Sequence, residues 1–143
     1  MENKRKYLPT LSELCDRLAI NALKEVFIKD HKNEYAQEII DIKHDIDLIL
    51  KENNIPITSD FIYAIIIMAQ YNLHIWINES NYRKNGDKNG TDLALTHGLN
   101  SLRNHSKNII QELIGGRKDY KLDNVKAFSD WVPSLYKKDY EKT

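Results

Sequence analysis

Between Thr58 and Arg83 the chain carries its longest apolar run, and the length of that run restricts the folds open to it. Phe61-Ile62-Tyr63-Ala64-Ile65-Ile66-Ile67-Met68-Ala69 is followed by Leu73, Ile75, Trp76 and Ile77, with Gln70, Asn72 and His74 interspersed. The β-branched content is that of a strand, but strands average about 5–6 residues and no hairpin signal divides this run. A membrane span needs about 20 predominantly apolar residues, and the three polar side chains count against one. The sequence therefore predicts a long central helix over about 59–83, capped by Thr58, Ser59 or Asp60, with the rest of the chain packed around it. His74 and Trp76, beside Asn72, Asn78 and Glu79, mark the wet end of that helix.

Three more segments have helical period. Thr10-Leu11-Ser12-Glu13 has the form of a capping box, in which Thr10 caps and Glu13 returns the bond. Leu11, Leu14, Cys15, Leu18, Ala22 and Val26 then follow one face, which predicts a helix over 10–29. Asn33 can cap a second, over 33–53, whose seam is Tyr35, Ile39, Ile42, Ile46 and Ile49 and whose other face is charged. Asn53 and Asn54 suit its end, and Pro56 bars continuation. Lys84 to Gly90 is the clearest loop, with Asn85-Gly86 and Asn89-Gly90 in it. Thr91 then caps a fourth helix, over 91–114, which Gly115-Gly116 stops. The expected fold class is all-α, an antiparallel bundle of four helices in one domain covering 1–143. In the tail, 117–143, a short helix is expected around Asp123 to Phe128. Its aromatics, Trp131 and Tyr136, should pack back onto the bundle.

A chain of 143 residues can bury a core without metal or disulfide staples. Cys15 is its only cysteine, so no intramolecular disulfide or two-cysteine zinc site can form, and a reducing cytoplasm is the setting expected. Met1 to Tyr7 is polar and basic and leads into no apolar segment of the signal-peptide kind. Formal charge is zero overall but unevenly spread. Residues 29–60 hold 4 Lys against 8 Asp and Glu, a net of −4, and residues 81–143 hold 12 Lys and Arg against 8 acids, a net of +4. Anions should prefer the second half. A neutral total argues against a dedicated duplex-DNA partner, and no membrane partner or cofactor is expected.

The fourth helical segment carries the most informative pattern. At about 100° per residue, Leu95, Leu99, Leu102, Ile109, Ile110 and Leu113 share one face. His97, Asn100, Ser101, Asn104, Asn108 and Gln111 share another, which is polar yet nearly uncharged, with Arg103 beside it. Solvated helix faces usually carry Lys and Glu, whereas amides are poorer helix formers and good hydrogen-bond partners. This face is a recognition surface, a polar seam buried between helices, or a surface left by compositional drift toward Asn. Downstream, Gly115-Gly116-Arg117-Lys118-Asp119-Tyr120-Lys121 combines close backbone approach, a guanidinium fork and two ammonium groups for phosphate, and a ring for stacking. The same residues also suit a glycine C-cap with cations answering the helix dipole. No Walker pattern occurs.

Asp41, His44, Asp45 and Asp47 invite a metal reading, because Asp41 and Asp45 lie one turn apart. The Glu-x-x-Glu pair of all-α nucleotide pyrophosphohydrolases does not occur, and a solvated acidic face is the simpler explanation of the cluster. Cys15 lies in an apolar stripe, as an inert core thiol would.

Asp92-Leu93-Ala94-Leu95-Thr96, with Leu99 and Ile109 after it, resembles the C-terminal helix of small bacteriophage proteins that sequester cyclic-oligonucleotide immune signals, the anti-CBASS sponges. The overlap spans about 20 of the 143 residues, and no ligand residue is carried over from it. Leu14 to Leu23 and the Gly-Gly-Arg-Lys-Asp-Tyr segment are also similar to small phage proteins. The resemblance implies a phage-encoded anti-defence protein in the host cytoplasm.

The functional expectation is a non-enzymatic binding protein that sequesters a nucleotide-derived immune signal. Arg117 and Lys118, with Lys121 nearby, would hold phosphate, Tyr120 would stack on a base, and His97, Asn100, Arg103, Asn104 and Asn108 would line the ligand, with a homo-oligomer completing the pocket. One alternative is a helical module that binds a host protein through the uncharged face of the fourth helix. A lesser one is a Mg²⁺-dependent nucleotide hydrolase using Asp41 and Asp45.

Overall fold

The computed structural model describes residues 7–86, 92–114 and 130–136. Among them the chain is all-helical: α1 is Leu11–Phe27, α2 is Lys32–Glu52, α3 is Ser59–Asn85 and α4 is Asp92–Ile114, with a short 3₁₀ turn at Ser134–Tyr136. No described residue lies in a strand.

Local chemistry sets the helix ends. Thr10 Oγ1 accepts from Glu13 N at 3.3 Å to open α1, and Thr58 Oγ1 accepts from Phe61 N at 3.2 Å to open α3, each satisfying an amide the first turn leaves without a partner. At the end of α2, Asn54 adopts a left-handed conformation (φ 51°), Ile55 N donates to Leu50 O at 3.0 Å and Asn54 N to Lys51 O at 3.3 Å. That is a Schellman closure. Leu50 and Ile55 both pack against the core, so the turn is held on its apolar side too. The start of α2 departs from expectation. The cap is His31, itself left-handed (φ 64°) and without a side-chain cap bond, and Asn33 lies within the first turn. The left-handed residue turns the chain at this point, so the cap falls two residues before Asn33 and the helix begins at Lys32. α3 runs on through Lys84 and Asn85 to a positive-φ Gly86 (φ 68°). The expected cap Thr91, stop Gly115-Gly116 and short helix Asp123–Phe128 lie outside the described residues.

The bundle's register can be read from cross-helix bonds. Ser12 pairs with Gln111 and Asp16 with Lys107, so α1 and α4 are antiparallel. Asn72 pairs with Arg103 and Asn78 with Thr96, so α3 and α4 are antiparallel as well. Lys32 Nζ reaches the Glu25 carbonyl and Lys24 lies over the Tyr35 ring, which folds α2 back along α1.

α3 is the central strut. Its Phe61, Ala64 and Met68 join Leu11, Cys15 and Ile110 in one core cluster, with Ile46, Ile49 and Leu50 of α2 packed against it. Its Tyr71 and Ile75 join Leu99, Leu102 and Val132 in a second. The tail aromatics return as expected: Trp131 meets His74 edge-on at 4.8 Å, Tyr136 meets Tyr63 at 5.6 Å, and Tyr71 Oη donates to Trp131 O at 2.8 Å. Some predicted apolar positions do not become core. Val26, at the free end of α1, and Leu113 are exposed, and α2 has no fully buried residue, because it packs chiefly on α1 at the edge of the bundle. Asn72, read as part of a wet helix end, is buried.

Candidate functional site

The polar side of α4 divides into two zones with different surroundings. The inner zone is a polar web linking three helices. Arg103 Nη1 donates to Asn72 Oδ1 at 3.1 Å, and Asn72 Nδ2 donates to Asp16 Oδ1 at 2.8 Å. Lys107 Nζ lies 4.0 Å from Asp16 Oδ2, with only 19% and 10% of the two side chains exposed. Buried charge is tolerated only when paired and hydrogen-bonded, and here the Asp16 carboxylate accepts from Asn72 and faces Lys107, while Arg103 meets the Asn72 amide. Arg103 Nε is buried within the web and makes no hydrogen bond.

Gln111 belongs to the inner zone. It is 2% exposed, and its Oε1 accepts from Ser12 N at 3.0 Å. Ser12 N is one of the amides that the first turn of α1 cannot satisfy internally, so α4 supplies a second cap to α1 beside Thr10. Ser106 is buried and donates to Leu102 O one turn back at 3.2 Å, and Thr96 accepts from Asn78 Nδ2 at 2.6 Å. Ser101 is buried too.

The outer zone is a row. His97 is exposed, and Asn100, Asn104 and Asn108 are half-buried at spacings of three, four and four residues. From Asn100 to Asn108 the row runs about 12 Å along the axis at 1.5 Å per residue. It carries no formal charge. The two cations of this helix nearest to it, Arg103 and Lys107, are the ones held by Asn72 and Asp16. Arg117, Lys118, Tyr120 and Lys121 lie outside the described residues, so nothing places them against this row.

The other candidate chemistry sits in unremarkable surroundings. Asp41 Oδ1 accepts from Gln37 Nε2 at 3.0 Å, and His44 Nδ1 lies 3.1 Å from Asp45 Oδ1, all on exposed positions of α2. Among the described residues no three His, Cys, Asp or Glu side chains converge as a metal site would require. The Cys15 thiol is buried, and its pKa is pushed up to about 11, first by loss of water and second by the neighbouring Asp16 carboxylate. A thiol so far from ionising is a poor nucleophile near neutrality. Tyr71 is likewise pushed up to about 12 by burial, with Tyr136 and Tyr63 adding to it.

Of the two hubs of the web, Asp16 escaped the sequence reading and Asn72 was placed at a wet helix end. A signal was available: Ser12 and Asp16 are one turn apart and each directly follows an apolar residue, Leu11 and Cys15, so a carboxylate falls at the margin of an apolar stripe. No family model, curated protein or solved structure matches the chain.

Proposed function

We propose that the protein is a helical interaction module that binds another protein through the outer polar row of α4. One observation carries the reading: Arg103 and Lys107 are engaged by Asn72 and Asp16, leaving His97, Asn100, Asn104 and Asn108 as an uncharged, partly exposed strip. A phosphate-bearing ligand is normally gripped by cations free to approach it. A strip of amides with donors and acceptors at one-turn spacing instead complements the polar surface of a protein, where water is displaced and each amide can be repaired by a new bond. Sequestering of a nucleotide-derived signal would have to draw its charge from Arg117, Lys118 and Lys121, with Tyr120 for stacking.

The test pairs two measurements on the full chain. Capture from a bacterial lysate should yield a partner that Asn104→Arg loses while its melting temperature is retained. A panel of cyclic and linear nucleotides should leave melting unchanged. A nucleotide that raises the melting temperature would favour the sequestering reading, because a ligand at 100 times its Kd stabilises the folded state by about 2.7 kcal/mol. Capture unaffected by Asn104→Arg would remove the row from the interface.

A further inference from the structure

The face of α3 turned away from the core carries a stripe the bundle does not cover. Ile62, Ile66 and Ile77 are 48%, 50% and 46% exposed. Ala69, Leu73 and Trp76 lie between them at helical spacing and are half-buried. The neighbouring face of the helix is occupied by the tail, through Tyr63, Tyr71 and His74, so the stripe stands between the tail and the core side. From Phe61 to Asn78 the sequence contains no Asp, Glu, Lys or Arg. A contiguous apolar patch of this kind marks an interaction surface.

The stripe is almost symmetric about a point between Ala69 and Gln70. Ile62 and Ile77 are equidistant from that point, as are Ile66 and Leu73, and Ser59 and Ser80 bound it on either side. A two-fold axis there would lay Ile62 against Ile77 of a second copy and Ile66 against its Leu73. That self-complementarity is what an isologous interface requires. Ala69 and Gln70 flank the axis, so the small side chain of Ala69 in each copy leaves room for Gln70 of the other.

Charge supports the same occupant. The N-terminal end of α3 and the end of α2 beside it carry Asp45, Asp47, Glu52 and Asp60 against Lys43 and Lys51, a net of −2, while the C-terminal end carries Arg83 and Lys84 against Glu79, a net of +1. An antiparallel pairing of two α3 helices brings the basic end of each copy towards the acidic end of the other. A parallel pairing would set like against like. The stretch from Ser59 to Ser80 is about 32 Å long at 1.5 Å per residue, and two helices in contact over that length bury on the order of 1,000 Å² in total, the lower limit for a specific interface.

We propose that two copies of this chain associate through an antiparallel α3–α3 contact about a two-fold axis between Ala69 and Gln70, giving a reversible dimer with a Kd in the micromolar range. The proposal is independent of the α4 reading, and it would present two α4 rows per assembly. α3 also has the length and composition of a membrane span. In the bundle, however, Ala64 and Met68 are fully buried among α1 and α4, and Asn72 is bonded to both. Lipid could surround α3 only by dismantling those contacts.

The experiment is sedimentation velocity on the full chain from about 1 to about 300 µM, a range bracketing a micromolar Kd. Wild type should shift from monomer to dimer, and Ile66→Glu should stay monomeric with an unchanged helical spectrum. Orientation is read by mild oxidation of single-cysteine variants in a Cys15→Ala background. Ala69→Cys should cross-link to its own copy. Ile62→Cys should not, because the two positions would stand about 22 Å apart along the axis at 1.5 Å per residue. A wild-type chain monomeric throughout, a dimer that Ile66→Glu leaves intact, or ready cross-linking of Ile62→Cys overturns the proposal. Flotation of the protein with neutral phosphatidylcholine vesicles, lost in Ile66→Glu, would assign the stripe to membrane instead. Asn104→Arg should leave the dimer unchanged, so failure of the α4 reading and failure of this one are separable.

Discussion

Replacing Asp16 with Ala removes the hub of the inter-helix web, and the structure allows the cost to be worked. The carboxylate accepts from Asn72 at 2.8 Å and faces Lys107 at 4.0 Å, with 10% of its side chain exposed. Losing a hydrogen bond to a charged group costs about 1.5–3 kcal/mol. Removing one member of a fully buried ion pair costs about 3–5 kcal/mol, because the survivor is left uncompensated. Lys107 keeps 19% exposure and can turn part of its ammonium to water, so the upper figure does not apply. Loss of the desolvated carboxylate itself offsets a further part. The expected destabilisation is about 2–3 kcal/mol, at the upper end of what single substitutions commonly cost. For a chain of this size that is a fall in melting temperature of roughly 6–12 °C. Urea unfolding followed by helical circular dichroism measures it, with Asp45→Ala, on an exposed position, as the control expected within about 0.5 kcal/mol of wild type. Asp16→Asn keeps an acceptor for Asn72 but no charge for Lys107, and should fall between Asp16→Ala and wild type. The double variant Asp16→Ala/Asn72→Ala should show a coupling of at least about 0.5 kcal/mol. If Asp16→Ala costs no more than Asp45→Ala, the web does not stabilise the bundle and the reasoning is refuted.

Three other outcomes follow from the same structure. Cys15 has its pKa raised from 9.0 to about 11 in the folded state, so the folded chain holds that proton more tightly than the unfolded one. Its contribution is fully present below pH 9 and is lost as pH rises through about 11; urea midpoints should decline over that window, and less steeply in Cys15→Ala, where Tyr71 alone remains of the two raised groups. Met68→Ala, at a fully buried position, should cost about 2–5 kcal/mol by leaving a cavity between α1, α3 and α4, measured by the same unfolding. Thr58→Ala removes the acceptor for Phe61 N and should cost about 1 kcal/mol, visible as a lower urea midpoint without loss of helix content in native buffer.

The helices were legible because their signals are local. Thr10, Asn53-Asn54 and Pro56 act on neighbours a few residues away, and the apolar period of α1, α3 and α4 repeats within one helical turn. The start of α2 was missed because a left-handed His31 is a backbone choice that its side chain does not announce. The polar side of α4 was legible as unusual but not as two zones. Whether an amide faces water or a carboxylate depends on Asp16, Asn72 and Ser12, which lie 31 to 99 residues from their partners on α4. Spacing within one helix fixes which residues share a face, and it says nothing of what that face meets. The outer stripe of α3 was hidden for a related reason, since an apolar run reads as core until the number of helices covering it is known.

The bond from Ser12 N to Gln111 Oε1 joins positions 99 residues apart, and it gives the chain an order of assembly. α1 is synthesised before α4 and lacks one of its end contacts until α4 exists. At about 5–20 residues per second, synthesis of the intervening stretch takes roughly 5–20 s. During that time the opening turn of α1 must rely on Thr10 and water. The first turn of α1 is thus completed by α4, and a fragment ending before residue 111 should fray at that turn.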